Sequence, residues 1–312
     1  MSFSWFILLD KQKNEQLPAE NQPKLCYSLI MIIGAHVSIA GGFDKSIDRA
    51  LDIGANAVQT FASSPRSLKY SELPGDIIEK YKQKKANSSF GPHFFHGVYL
   101  VNLATEKKDY LKVSIDSLIH YQKTAGQISG EGTIFHIGSH KGVGFDAVKD
   151  QVVNAVNQVL DKTPDGVTLF LENAAGHKGV IGSDLNELGW IVDNVDPNLK
   201  SKLAICIDTQ HAFASGYDLR TKQGIDQLIR DSEKAFGWDK VKVIHANDSI
   251  PEFHSHKDRH QNIGEGEIGE AGFKLILNHP KLSDLPFLLE VPGESKSGPR
   301  KIDLEKLKSL IK

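Results

Sequence analysis

The sequence predicts a (β/α)8 barrel, and three observations carry that prediction. From Met31 onward, eight short apolar runs alternate with longer amphipathic stretches. The runs are nearly continuous in apolar residues, as strands of a parallel sheet buried on both faces are. No proline- or serine-rich linker divides the series, and no GxGxxG follows the first run, which disfavours an open doubly wound sheet. Eight such units over roughly 280 residues match the size of one barrel.

Taken in order, the runs also share a way of ending. The first, MIIGAHVS, contains His36, and the second, AVQTFA, brings no strong ligand. SFGPHFFH ends on His96, and GTIFHIG carries His136. VTLFLEN carries Glu172, LAICIDT carries Asp208, VKVIHAN carries His245, and PFLLEV carries Glu290. Between the runs, segments such as LPGDIIEKYKQKKA and DYLKVSIDSLIHYQKTAG have helical periodicity. In a parallel barrel all C-terminal strand ends open onto one face, where catalytic groups gather. One histidine at a strand end is an ordinary structural residue. Seven such placements in eight runs predict a site.

Composition narrows the class. The chain has 312 residues, 40% hydrophobic and 24% charged, which is enough apolar material for a core without disulfide staples. Cys26 and Cys206 lie far apart and neither belongs to a CxxC. That excludes a thiolate-rich zinc finger and fits a reducing, cytoplasmic setting. No apolar run is long enough to span a membrane. The formal charge of −2 gives no global pull toward nucleic acid, although bound divalent cations would turn that balance positive locally. Residues 1–30 read differently from the rest. FILL is too short for a secretory signal, QKNEQLPAENQPK is polar and unpatterned, and the only two methionines are Met1 and Met31. The expectation is a mobile, dispensable extension over 1–30 and a single barrel domain over 31–312.

Glu172, Asp208 and Glu290 would bring three carboxylates into one concave mouth, where they repel unless cations neutralise them. With His96, His136 and His245 they form an N/O donor set suited to zinc or a similar divalent ion. A carboxylate such as Glu172 can bridge two ions, as two-metal hydrolytic sites require. IDTQHAFASGYD places Asp208 and His211 in a D-x-x-H spacing, and HKDRH places Asp258 and His260 in D-x-H. His211, Asp258 and His260 together would hold a further ion.

These motifs resemble the endonuclease IV family of metal-dependent apurinic/apyrimidinic endonucleases. The resemblance runs through GAHVSIAGG, HGVYLVNL, FHIGSH, LENAAG, CIDTQHAFASGYD, HANDS, DRHQNIGEGEIG and LLEVPG, nearly everything after Met31. It implies a xylose-isomerase-like TIM barrel with three Zn2+ at the C-terminal face of the strands, Mn2+ being an option at one site. His96 and His136 would bind one ion, with Glu172 bridging to a second that Asp208, His245 and Glu290 complete. His211, Asp258 and His260 would hold the third. The implied activity is base excision repair: hydrolysis of the phosphodiester 5′ to an abasic site in double-stranded DNA, leaving 3′-hydroxyl and 5′-deoxyribose phosphate, and trimming of blocked 3′ ends. Arg66 in SSPRSLK and Tyr99 in HGVYLVNL match positions that the family inserts into DNA, and His36 and His140 read as phosphate contacts. The resemblance also implies a monomer, nucleoid-associated if prokaryotic. Leu68 stands where the family has tryptophan, Ile137 where it has proline and Gln210 where it has cysteine.

Other residues read more plainly. His93 sits inside its strand and is a poorer ligand candidate than His96. Asp248, His254 and His256 are not needed as ligands. His120, His177 and His279 read as surface or helix residues, Cys206 as a buried thiol, and GEGEIG as a turn into a helix, lacking the lysine of a phosphate loop. The alternative is a metal-dependent sugar isomerase or epimerase on the same barrel, for which the third donor group would have no task.

Overall fold

The computed structural model describes residues 31–312 apart from 89 and 178, so the extension expected over 1–30 lies outside the described residues. The chain alternates strand and helix, apart from two consecutive helices after the sixth strand and a hairpin after the seventh. It runs β1 (Ile33–His36), α1 (Lys45–Asp52), β2 (Ala57–Thr60), α2 (Gly75–Asn87), β3 (His93–His96), α3 (Lys108–Gln127), β4 (Gly132–Phe135), α4 (Lys149–Asp161), β5 (Thr168–Glu172) and α5 (Leu185–Asn194). It continues with β6 (Leu203–Asp208), α6 (Thr209–Ser215), α7 (Lys222–Phe236), β7 (Val241–His245), a two-stranded hairpin of β8 (Asp248–Ser249) and β9 (His260–Gln261), α8 (Gly269–Leu277), β10 (Phe287–Leu289) and α9 (Lys301–Ser309). The eight long-range strands close in the order β1-β10-β7-β6-β5-β4-β3-β2, every pairing parallel. The predicted barrel is therefore present.

Local chemistry sets the helices. The Thr221 hydroxyl caps α7 by accepting from Gly224 N at 3.1 Å, and Gly237, at φ 80°, ends it. Between these, Ile225, Leu228, Ile229, Ser232 and Phe236 recur at helical spacing and are buried. α5 repeats the scheme, with Asp184 as its cap and Leu185, Leu188, Ile191 and Val192 facing in.

Inside the barrel, Ala57, Phe94, Ile134, Phe170, Ala204, Cys206, Val243 and Leu288 form an apolar plug distinct from the larger core between strands and helices. Cys206 is the buried core thiol expected of it. Gly34 keeps the plug closed by having no side chain: a Cβ there would lie 2.5 Å from Leu288 and 2.9 Å from Ala57. Gly132 is more constrained still, at φ +142° with its absent Cβ 1.7 Å from the Thr168 carbonyl oxygen. His120, expected at the surface or on a helix, is a helix residue of α3, 2% exposed, with Tyr70 of the 61–74 loop stacked on it at 4.1 Å.

Candidate metal centre

Strand side chains alternate faces, so the residue two places beyond an inward apolar one also points inward, one layer nearer the mouth. On every barrel strand that second residue is polar. His36 follows Gly34, Gln59 follows Ala57, His96 follows Phe94, and His136 follows Ile134. Glu172 follows Phe170, Asp208 follows Cys206, His245 follows Val243, and Glu290 follows Leu288. The apolar plug is thus floored beneath a complete polar ring.

Glu172 stands at the centre, with no exposed surface. Its Oε2 lies 3.1 Å from His96 Nε2 and 3.6 Å from His136 Nε2. Its Oε1 lies 2.9 Å from His245 Nδ1 and 3.4 Å from His211 Nδ1. Each oxygen therefore serves a different pair of imidazoles. Glu290 Oε2 approaches His245 Nδ1 at 3.3 Å, and its Oε1 faces His36 Nδ1 at 3.2 Å. Asp208 ends β6 and caps α6, accepting from His211 N at 2.9 Å, so the D-x-x-H spacing is a strand end and the first helical turn. Asp258 Oδ1 lies 3.5 Å from both His211 Nε2 and His260 Nε2.

The donors gather into three groups whose ligand atoms lie within 4.8 Å of one another: His96, Glu172, His245 and Glu290; His136, Glu172 and His211; and Asp208, His211 and His260. This differs from the implied ion-by-ion partition. His96 joins Glu290 and His245 more closely than His136, and Asp208 joins the third group. Eight of the nine expected ligands fall in these groups, with Glu172 shared by the first two and His211 by the last two, and the ninth, Asp258, lies beside His211 and His260.

The carboxylates and imidazoles of the site shift one another strongly. Burial pushes the Glu172 carboxyl up, but His136, His245 and His211 outweigh it and hold it well below the usual range. Glu290 behaves likewise, with His245 and His96 overcoming burial. In return, Glu290 and Glu172 overcome the burial of His96 and raise it to about 9, and His211 and His245 are also raised. Protons on imidazoles thus neutralise the carboxylates. His136, where burial dominates, is lowered instead. The donor set fits divalent metal: it is all N and O, and His260 Nε2 is buried without a hydrogen bond although two carboxylates lie near it. Metal would displace the imidazole protons.

Residues that were not singled out in the sequence complete the site. Gln59 is fully buried in the ring. Asn173 Oδ1 accepts from Asp208 N at 2.6 Å, and Asn247 Nδ2 donates to Asp208 Oδ2 at 2.6 Å. Asn247 Oδ1 also accepts from Glu290 N at 2.8 Å. The signal for them was local: each asparagine follows a strand-end ligand by one or two positions, and Gln59 holds the inward position on the strand without a ligand.

The expected DNA-contacting residues are spread around the mouth. Tyr99, 65% exposed, lines a cavity of about 550 Å³ with Lys107, Lys141, His136, His211 and Asp258. Arg66 is exposed on the loop that Ser63 ties to Tyr121 at 3.1 Å. His36 lies within the ring, 16% exposed at the side chain, where burial lowers its pKa. His140 is half-buried, and its Nδ1 accepts from Gly142 N and Gly144 N, shaping the loop beside the cavity. Asp248, His254 and His256 belong to none of the three donor groups.

A family profile described as xylose isomerase-like TIM barrel matches residues 47–311. The probable endonuclease 4 of Halothermothrix orenii is 42% identical over 262 residues, covering 84% of this chain and 94% of that protein. The probable endonuclease 4 of Thermotoga neapolitana is 37% identical over 282 residues, covering 89% and 96%. The crystal structure of endonuclease IV from Thermus thermophilus matches with a TM-score of 0.77 at 30% identity, over 89% of this chain and 98% of that one. A D-tagatose 3-epimerase-like protein, at 16% identity and TM-score 0.66, shares the fold alone. With both the ordered motifs and the barrel accounted for, the chain belongs to the endonuclease IV family, DNA-repair hydrolases on a xylose isomerase-like TIM barrel.

Proposed function

We propose that this chain hydrolyses the phosphodiester 5′ to an abasic site in double-stranded DNA, with three divalent ions, zinc or with manganese at one position, held by the nine ligands. The products would be a 3′-hydroxyl and a 5′-deoxyribose phosphate, and the same site would remove 3′ blocking groups. Such ions, when bound, lower the pKa of water from 15.7 to about 7 and neutralise charge on the transferring phosphate. The observation that carries the reading is the third donor group, Asp208, His211 and His260 with Asp258 beside it, linked to the second group through His211 and from there to the first through Glu172. A one-metal or two-metal sugar isomerase has no task for it.

The chain's own residues have distinct parts. Glu172 would be the bridging carboxylate, a role supported by its two oxygens facing different imidazole pairs and by its burial. His96, His136, Asp208, His211, His245, Asp258, His260 and Glu290 supply the remaining donors. Tyr99, which lines the cavity, and Arg66, on its exposed loop, would fill the stack that a displaced nucleotide leaves. His36 and His140 would contact phosphate. An abasic nucleotide stacks poorly, so extruding it costs less than flipping an intact one. That gives selectivity for damage without reading sequence.

The test is cleavage of a duplex oligonucleotide carrying one tetrahydrofuran abasic analogue, by metal-replete protein beside a Glu172→Gln variant. Incision immediately 5′ to the analogue, lost in the variant, is expected. No incision by folded protein holding three metal ions per chain would discard the reading in favour of sugar isomerisation.

A further inference from the structure

We propose that Gln59 is a positioning residue for the metal centre: its amide fixes His245 with the proton on Nε2, turning Nδ1 onto the carboxylates, and tethers Glu290 at the same time. The inference rests on the reading of the ring as a metal site and assigns a residue outside the nine ligands. Four of the five ligand imidazoles have one ring nitrogen hydrogen-bonded to a partner outside the nine ligand side chains, in two different ways; His136 Nδ1 is buried without such a partner, and His211 Nδ1 also lies 3.4 Å from Glu172. His96 Nδ1 donates to the Gly97 carbonyl at 2.7 Å, His211 Nδ1 to the Asn173 carbonyl at 3.0 Å, and His260 Nδ1 to the Glu290 carbonyl at 3.3 Å. A backbone carbonyl is fixed by the fold and only accepts, so these three imidazoles present Nε2 whatever the side chains around them. His245 is the exception. Its Nδ1 faces Glu172 and Glu290, and its Nε2 faces a side chain, Gln59 Oε1, at 2.9 Å.

The orientation of that amide follows from its other end. Gln59 Nε2 lies 2.5 Å from Glu290 Oε1, and an ionised carboxylate accepts only. Turning the amide over would set two oxygens against each other there. With nitrogen toward Glu290, Gln59 Oε1 must face His245, and His245 Nε2 must carry the hydrogen. One side chain thus sets the tautomer of one ligand and the rotamer of another, a task that partners of metal-bound histidines perform. Gln59 is fully buried, so no water competes for either bond. It is the inward residue of β2, which like β1 supplies none of the nine ligands, with Gly34 and His36 paired to Ala57 and itself on one side and Phe94 on the other.

The test uses the metal-free full chain, titrated with Zn2+ against a chromophoric chelator, for the parent and Gln59→Leu. Loss of a partner of this kind lowers metal affinity by about 10–100-fold. The expected result is that loss at one ion, the others unchanged, in a variant that is folded before metal is added. Equal affinities for parent and variant would overturn the role of Gln59 alone. A parent that binds no zinc would overturn the metal reading and this proposal with it. A second measurement does not depend on the variant folding: 15N spectra of histidine-labelled, zinc-loaded parent. His245 protonated at Nε2 and ligated through Nδ1 supports the assignment, and the reverse refutes it.

Discussion

Replacing Asp248 with alanine should destabilise the protein by about 4 kcal/mol and loosen the third donor group. The carboxylate is fully buried and binds metal in none of the groups; it holds a loop instead. Its Oδ1 accepts from Ser249 N at 2.8 Å, Ile268 N at 3.0 Å and Gly269 N at 3.3 Å. Its Oδ2 accepts from Gly264 N at 2.9 Å and Gly266 N at 3.1 Å, sharing Gly269. The glycines let the backbone wrap this closely, since a Cβ on Gly266 would come within 2.6 Å of Oδ1. Burial pushes the carboxyl up and these amides oppose it. In Asp248→Ala the three half-buried glycine amides regain water. The amides of Ser249 and Ile268, on residues 0% and 2% exposed, do not. Two sealed donors at about 1–3 kcal/mol each give the estimate. His260 pairs with Ser249 across the hairpin, so the same change should weaken metal binding at the third group. Urea unfolding of chelated protein separates the two effects, because no bound ion then contributes. With a slope near 3 kcal/mol per molar, the midpoint should fall by about 1 M. A fall of less than about 0.2 M would refute the view that the carboxylate anchors this loop.

Two further outcomes follow from burial elsewhere. His93 is sealed between the Thr60 hydroxyl at 2.9 Å and the Tyr81 hydroxyl at 2.6 Å, and burial, with a smaller effect of Lys85, lowers it well below its ordinary value. It stays neutral in the fold while the unfolded chain takes up a proton below about 6.5, so stability falls with pH there by about 1.4 kcal/mol per unit. A His93→Gln variant should lose that part of the acid limb, and stability–pH curves parallel to the parent's from pH 7 to 5 would contradict it. Gly132→Ala drives a Cβ into the Thr168 carbonyl oxygen at a backbone angle that only glycine adopts freely. It should cost at least about 3 kcal/mol by thermal melting, and an unchanged midpoint would mean that β4 shifts without strain.

Much of this protein was legible in its sequence because strand periodicity is local. A run such as LAICID fixes which residues share a face, and Phe94 followed by His96, or Phe170 followed by Glu172, places a polar layer above an apolar one before any contact is known. The barrel, its open face and the metal-type donors follow from that alternation and from spacings such as D-x-x-H. What the tertiary structure decided is who faces whom across the mouth. Closure pairs β1 with β10, which begin more than 250 residues apart, and the stagger of the strands sets His96 nearer Glu290 than the order of the chain suggests. The same closure turned Gln59, unremarkable in AVQTFA, into the partner of both His245 and Glu290. It turned Asp248 from a spare candidate ligand into the anchor of a glycine loop, and covered the helix residue His120 with Tyr70. Periodicity assigns a side chain to a face, but hydrogen-bond partners and shared ligands depend on distances across the barrel, which only the closed sheet fixes.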